Sequence, residues 1–179
     1  MTTTFNAPPI YKTTIGKKVL VAVSGILGLG FVVAHMIGNL HAFQGPAQVN
    51  HYGEWLRNMG EPAVPRSFLL WALRLLLLGG LILHVGLTMQ LAVRSRASRQ
   101  SRYGEHDMVQ ASYASRTMRW GGIALFLFIV WHLMDLSWGV HPHYVRGDIY
   151  GNLISGFKRW WDTVIYLVAM AALGMHIYH

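Results

Sequence analysis

Four long apolar segments constrain this chain more than any other feature of its sequence. They cover residues 19–43, 68–93, 120–138 and 161–179, and each is close to the roughly 20 residues that a helix needs to cross a bilayer. Because lipid offers no hydrogen-bond partner to the backbone, apolar runs of this length fold as helices. Only 12% of the residues are charged, against about 25% in ordinary soluble domains. We therefore predict an all-α fold, an integral membrane helical bundle with four spans that forms a single domain over residues 1–179.

Lysine and arginine are divided unevenly between the loops, and this bias predicts the orientation of the chain. Cytoplasmic loops carry the excess of these residues in membrane proteins. Most of them precede the first segment or lie between the second and the third: Lys12, Lys17, Lys18, Arg94, Arg96, Arg99, Arg102, Arg116 and Arg119. We expect the N-terminus to be cytoplasmic and the first segment, which lacks the features of a cleavable signal peptide, to be retained. The same bias accounts for the net charge of +8 without a nucleic-acid partner.

Histidine is the unusual residue of this chain, which contains ten of them and no cysteine. Each apolar segment holds one histidine well inside it: His35, His84, His132 and His176. An ionisable side chain inside a membrane span is costly and is by default a candidate functional residue. The alternative is a histidine hydrogen-bonded to a neighbouring helix, which explains one such residue more readily than one in every span. His179, one turn beyond His176, is a competing candidate in the last segment.

The depths of these histidines sort them into two levels. At about 1.5 Å per residue, His35 and His132 lie about 25 and 20 Å beyond the inner ends of their segments. His84 and His176 lie on segments that run in the opposite direction, about 27 and 25 Å from the outer surface. The expected pairs are therefore His35 with His132 in the outer half and His84 with His176 in the inner half. A six-coordinate heme iron needs two such axial ligands from facing helices, so we predict two b-type hemes.

Heme propionates need cationic or polar partners, and two residues near the outer level could supply them. Arg74 lies inside the second segment, about 12 Å below the outer surface by helix rise. His41 follows the first segment at that surface. Both also have simpler explanations, since long cationic side chains extend to the interface and loop histidines are often solvated.

With these residues identified, the chain resembles the membrane-anchor cytochrome b subunit of bacterial succinate:quinone oxidoreductases, the respiratory complex II of the tricarboxylic acid cycle, in its single-anchor type with two hemes. The resemblance covers nearly the whole chain from Gly16 onward. Its matching stretches are GKKVLVAVSG, AHMIGNLHAF, VNHYGEW, LILHVGLTMQLAVRSR, IVWHLMD and VAMAALGMHIYH. Members usually have five spans, whereas four are visible here, and the last segment has no closing charged flank. We expect a fifth span to be missing at the C-terminus.

The resemblance implies a function and a set of partners. The anchor would lie in the bacterial plasma membrane and bind an iron–sulfur subunit, which in turn binds a flavoprotein that oxidises succinate to fumarate. His84 and His176 would hold the heme nearer the clusters, and His35 and His132 the distal heme. Electrons would pass through both hemes to a quinone, commonly menaquinone. The chain would carry out no succinate chemistry itself.

The quinone site is less defined by the residues. Quinone reduction needs polar groups beside an apolar slot open to the interface. The outer loop of residues 41–67, which we expect to contain a short helix, supplies the main candidates Glu54, Asn50 and Tyr52. Further outer candidates are Glu61, Asp135 and His41, and inner ones are Lys17, Ser24 and Arg94. Surface carboxylates are more often simply solvated.

Two other readings of the residues stay open. One is a different diheme cytochrome b that reacts with quinone or ascorbate through the same paired histidines. The other is a heme-free membrane anchor or transporter whose histidines relay protons or bind another metal, including an iron–sulfur centre completed by cysteines of a partner. An oxidised-versus-reduced absorption spectrum separates the heme-containing readings from the heme-free ones.

Overall fold

The computed structural model describes residues 9–98 and 113–178, and these residues form helices joined by loops, with no strand among them. These described residues contain six α-helices, numbered in chain order: α1 Thr14–Asn39, α2 Pro46–Asn58, α3 Phe68–Ala97, α4 Tyr113–Leu136, α5 Ile149–Phe157 and α6 Trp160–Tyr178. Two short 3₁₀ helices, Ile10–Lys12 and Leu40–Gln44, precede and follow α1. The predicted all-α class is confirmed.

In the part of the chain that the structure describes, four helical stretches are long and apolar enough to cross a membrane: Thr14–Gln44, Phe68–Ala97, Met118–Leu136 and Trp160–Tyr178. They correspond to the four predicted segments, and residue 179 lies outside the described residues. The first two helices extend further into the basic flanks than predicted. Lysine and arginine are good helix formers with long apolar stems, so a helix continues past the point where hydropathy falls.

Two shorter helices flank these spans. The helix expected in the loop of residues 41–67 is present as α2, which starts with Pro46 in the first-turn position that proline favours. Helix α5 was not predicted. Asp148 caps it, because its carboxylate accepts a hydrogen bond of 2.9 Å from the Gly151 N–H.

The described contacts divide the chain into two compact units. One contains residues 9–41 and 52–98, and within it α1 packs against α3. The other contains residues 42–51 and 113–178, and within it α4 packs against α6 with α5 beside both. In each unit the helix pair presents large apolar side chains outward along its length, as a lipid or protein environment requires.

Small residues let the helices of each pair approach closely. In the first unit, a Cβ added at Gly80 would lie 2.9 Å from Leu27 Cδ2, so a larger residue there would require the Leu27 side chain to shift. In the second unit, Ala169 and Ala172 of α6 are among the few buried apolar residues. Small side chains at such contacts are the usual way in which membrane helices associate.

Candidate functional site

The imidazole of His84 is oriented by the opposite helix of its own unit. Its Nδ1 lies 3.2 Å from the backbone oxygen of Val21 and 3.2 Å from Ser24 Oγ, both on α1. The Ser24 hydroxyl is itself within hydrogen-bond distance of two carbonyls of α1, Leu20 at 2.8 Å and Val21 at 3.0 Å. A carbonyl oxygen only accepts, so the contact with Val21 requires a proton on Nδ1. The neutral ring then carries its lone pair on Nε2.

This arrangement has the chemistry of a metal-ligating histidine. Such a histidine usually donates its second ring N–H to a carbonyl or another oxygen, which fixes the tautomer and the ring plane. A Cβ added at Gly25 would lie 3.4 Å from His84 Cε1, so a glycine on α1 also makes room for the ring. The surroundings of His84 therefore fit an axial ligand bound through Nε2.

His132 is held in a comparable way in the second unit. Its Nδ1 lies 2.8 Å from the Tyr166 hydroxyl, which links α4 to α6. Its ring also stacks on Phe128, with centroids 5.7 Å apart and planes at 25°. The hydroxyl of tyrosine can donate or accept, so this contact suits either tautomer. With Nδ1 donating to the Tyr166 oxygen, Nε2 would carry the lone pair that a metal requires.

The other two span histidines have different surroundings. His35 lies on an exposed face of α1 and stacks on Phe31, with ring centroids 5.2 Å apart. His176 lies against α4, where a Cβ added at Gly122 would be 3.7 Å from its Cε1, and its Nδ1 is buried. Both residues stay predicted ligands.

The predicted pairings each combine one histidine from each unit, and they stay predictions. Among residues 9–98 and 113–178, no three His, Asp, Glu or Cys side chains are grouped so that they could hold a metal ion by themselves. A heme places a smaller demand on the protein, because the macrocycle supplies four of the iron ligands and only the axial positions are left for side chains. His179, the competing ligand, lies outside the described residues.

The two candidate propionate contacts are engaged within the first unit. The Arg74 guanidinium lies 5.0 Å from the ring centroid of Trp71, one turn away on α3, in a cation–π contact. His41 Nδ1 lies 2.9 Å from the Gly38 oxygen, and its ring stacks on Tyr52 at 4.5 Å. Because the Gly38 carbonyl needs a proton on Nδ1, neutral His41 exposes an acceptor at Nε2. It could donate to a propionate through Nε2 only as an imidazolium.

Two candidates for quinone binding in the loop of residues 41–67, Glu54 and Tyr52, contact other residues of the protein. Glu54 forms exposed ion pairs with Arg57 at 2.8 Å and Arg66 at 2.5 Å. Tyr52 packs so tightly on Gly38 that a Cβ added there would lie 2.7 Å from its Cε1. A part for either side chain in quinone binding stays a prediction.

Asn50, which belongs to the second unit, has a defined capping role. Its Oδ1 accepts hydrogen bonds from the N–H groups of Ile149 at 2.9 Å and Tyr150 at 3.1 Å. Its Nδ2 donates to Asp148 at 3.3 Å. The amide thus caps the N-terminus of α5 and connects the start of α2 to it.

A cleft with both apolar and charged lining lies in the second unit where α4 ends and α6 begins. Its volume is about 230 Å³, and its lining consists of Trp131, Met134, Asp135, Val140, His141, Pro142 and Arg159. Arg159 forms an ion pair with Asp135 at 2.9 Å and another with Asp162 at 2.5 Å. Asp162 is only 2% exposed. We call the cleft formed by the seven lining residues, to which Asp162 does not belong, the Asp135 cleft.

Only part of this cleft was expected. Asp135 was among the further outer candidates, whereas the lining residues His141 and Arg159, and Asp162 beside them, were not considered as site residues. One available indication was the pair Arg159 and Asp162, placed three residues apart at the start of an apolar segment. Opposite charges at that spacing lie on one helix face, next to a membrane span where charge is costly.

No model of a known protein family matches the chain, and no match is found among curated proteins or solved structures.

Proposed function

We propose that the chain is the membrane-anchor cytochrome b subunit of a succinate:quinone oxidoreductase, which passes electrons through bis-histidine hemes to a quinone. The observation that carries the proposal is the orientation of His84, a histidine inside an apolar helix. Its Nδ1–H points to the Val21 carbonyl and the Ser24 hydroxyl. This leaves the lone pair on Nε2, the atom through which His84 would hold the heme iron. One histidine in each of the three other spans supports the same proposal.

Each proposed role is assigned to particular residues. His84 and His176 would hold one heme, and His35 and His132 the other, with Ser24 and Tyr166 orienting two of the rings. A bound heme supplies a one-electron carrier within the membrane. Menaquinone is the proposed acceptor.

The basic flanks of α1 and α3 would face the cytoplasm and contact the iron–sulfur subunit. Buried Lys17 interacts there with Gln90, and Arg94 donates to the Lys12 carbonyl at 3.4 Å. The flavoprotein of the same complex would bind the iron–sulfur subunit and supply electrons from succinate. The whole assembly would lie in a bacterial plasma membrane.

The direct test is to purify the complex, identify its subunits and record oxidised-minus-reduced spectra with the heme-to-protein ratio. We expect flavoprotein and iron–sulfur subunits and two b-type hemes. His84→Ala should remove one heme signal and leave the other, because the second pair does not include this residue. His51→Ala is the matched control, since His51 is an exposed histidine of α2, and it should keep both signals.

The heme content and the subunit composition of the purified complex distinguish the three functional hypotheses. A complex without heme bands would contradict the proposal and favour the heme-free anchor or proton relay. Two hemes without flavoprotein and iron–sulfur subunits would favour a different diheme cytochrome b. Retention of both hemes in the His84→Ala variant would contradict the proposed ligand.

A further inference from the structure

The Asp135 cleft combines an apolar wall with buried charge at the end of two apolar helices. Its wall is formed by Trp131, Met134, Val140 and Pro142, and its polar groups belong to Asp135, His141 and Arg159. Helix α4 ends at Leu136 and α6 begins at Trp160, so the cleft lies where apolar helix surface gives way to loop. A ligand with an apolar tail and a polar head group could therefore reach it from the membrane.

The protonation of His141 can be read from its backbone contact. The Nδ1 of His141 lies 2.9 Å from the backbone nitrogen of His143, whose N–H donates to it. An N–H group cannot accept, so Nδ1 is unprotonated and the neutral ring carries its proton on Nε2. His141 therefore offers an N–H donor at Nε2, whereas neutral His41 and His84 carry an acceptor lone pair at that atom.

Arg159 is a second donor, and it is held in place. Its guanidinium forms ion pairs with both Asp135 and Asp162. The Arg159 side chain is 25% exposed and lines the cleft. A guanidinium held by two carboxylates needs little further ordering when a ligand arrives.

We propose that the Asp135 cleft binds the quinone head group, with His141 Nε2–H donating a hydrogen bond to one ring oxygen. This inference rests on the proposed function and moves the quinone site away from Glu54, Asn50 and Tyr52. To become quinol, the bound quinone would take up two electrons, which the proposed complex supplies, and two protons from water. The His141 Nε2–H donor would stabilise the negative charge that develops on the quinone oxygen before it is protonated.

The test uses the intact purified complex and a short-chain naphthoquinone as acceptor. His141→Leu removes the donor, and His141→Gln keeps an N–H donor on a side chain of similar length. His143→Leu is the matched control, because it removes a neighbouring histidine but keeps the backbone N–H that binds His141. We expect His141→Leu to raise the KM for the quinone about tenfold, the size of one lost hydrogen bond to a ligand. His141→Gln should recover most of this loss, and His143→Leu should leave KM unchanged.

A second measurement separates binding from electron transfer. Photolabelling with an azido-naphthoquinone, followed by peptide mapping, should mark the cleft residues in the wild-type complex and lose most of that label in His141→Leu. Unchanged KM in His141→Leu, equal losses in the Leu and Gln variants, or labelling around Tyr52 instead would overturn the inference. If the complex has no heme yet the cleft is labelled, the proposed function fails while the quinone site stands. If the hemes are present and the label lies elsewhere, only this inference fails.

Discussion

Replacing Arg159 by methionine tests the energetic role of the buried ion network. Methionine approximates the length of the arginine stem but leaves Asp135 and Asp162 without their cation. The side chains of these carboxylates are only 9% and 3% exposed, and their ion pairs with Arg159 measure 2.9 and 2.5 Å. Removing one partner of a buried ion pair costs about 3–5 kcal/mol, because the remaining charge stays buried and uncompensated. The unfolding equilibrium should therefore shift by roughly a hundredfold to several thousandfold.

The loss can be measured by SDS titration of the protein in mixed micelles, followed by far-UV circular dichroism. Arg66→Met is the matched control, because Arg66 pairs with Glu54 at 2.5 Å while their side chains are 56% and 48% exposed. An exposed pair of this kind contributes at most about 1 kcal/mol. If the two variants lost the same free energy of unfolding, or if Arg159→Met lost less than about 1 kcal/mol, burial would not govern the cost of breaking the network.

Two further substitutions test the helix contacts around α1. Ser24→Ala removes one of the two oxygens near His84 Nδ1. With heme held by His84 as proposed, this variant should lose heme to an apoprotein scavenger about tenfold faster. Thr88→Val should not, because the Thr88 hydroxyl bonds only to carbonyls of its own helix, and equal heme loss in both variants would contradict the orienting role of Ser24. Gly38→Ala places a Cβ 2.7 Å from Tyr52 Cε1 and should cost about 1–3 kcal/mol in the same SDS titration. Gly28→Ala, where nothing lies within 4 Å of the new Cβ, should be neutral or stabilising, and a result in the reverse order would refute the close packing of Tyr52.

The spans were predictable because hydropathy is a local property that adds along the chain. Four apolar runs become four helices wherever lipid denies the backbone other hydrogen bonds. The helix ends were less predictable, since α1 begins at Thr14 and α3 continues to Ala97, within basic flanks that hydropathy discounts. Helix α5 was missed because its nine residues lie outside any long apolar run. Its N-terminus is stabilised by the Asp148 cap and by a hydrogen bond from the Ile149 N–H to Asn50, which is distant in sequence.

Only part of the candidate site could be predicted from the sequence. That each span contains a histidine, and at what depth, follows from position in the sequence and the rise of a helix. The contact of Arg159 with Asp135 joins residues 24 positions apart in the chain, and no local pattern indicates it. The donor at His141 likewise depends on the loop that brings the His143 N–H to its ring.

The sequence by itself determined that this chain forms apolar helices and that each of the four long ones carries a histidine inside it. Only the tertiary structure decided which atoms those histidines meet. His84 is oriented by the Val21 carbonyl, 63 residues away, because α1 and α3 pack at one particular rotation and distance. Successive helix residues point about 100° apart, so a small change in that rotation would turn the ring to another neighbour. Helix formation is local, whereas the partner of each ring nitrogen depends on how two helices pack.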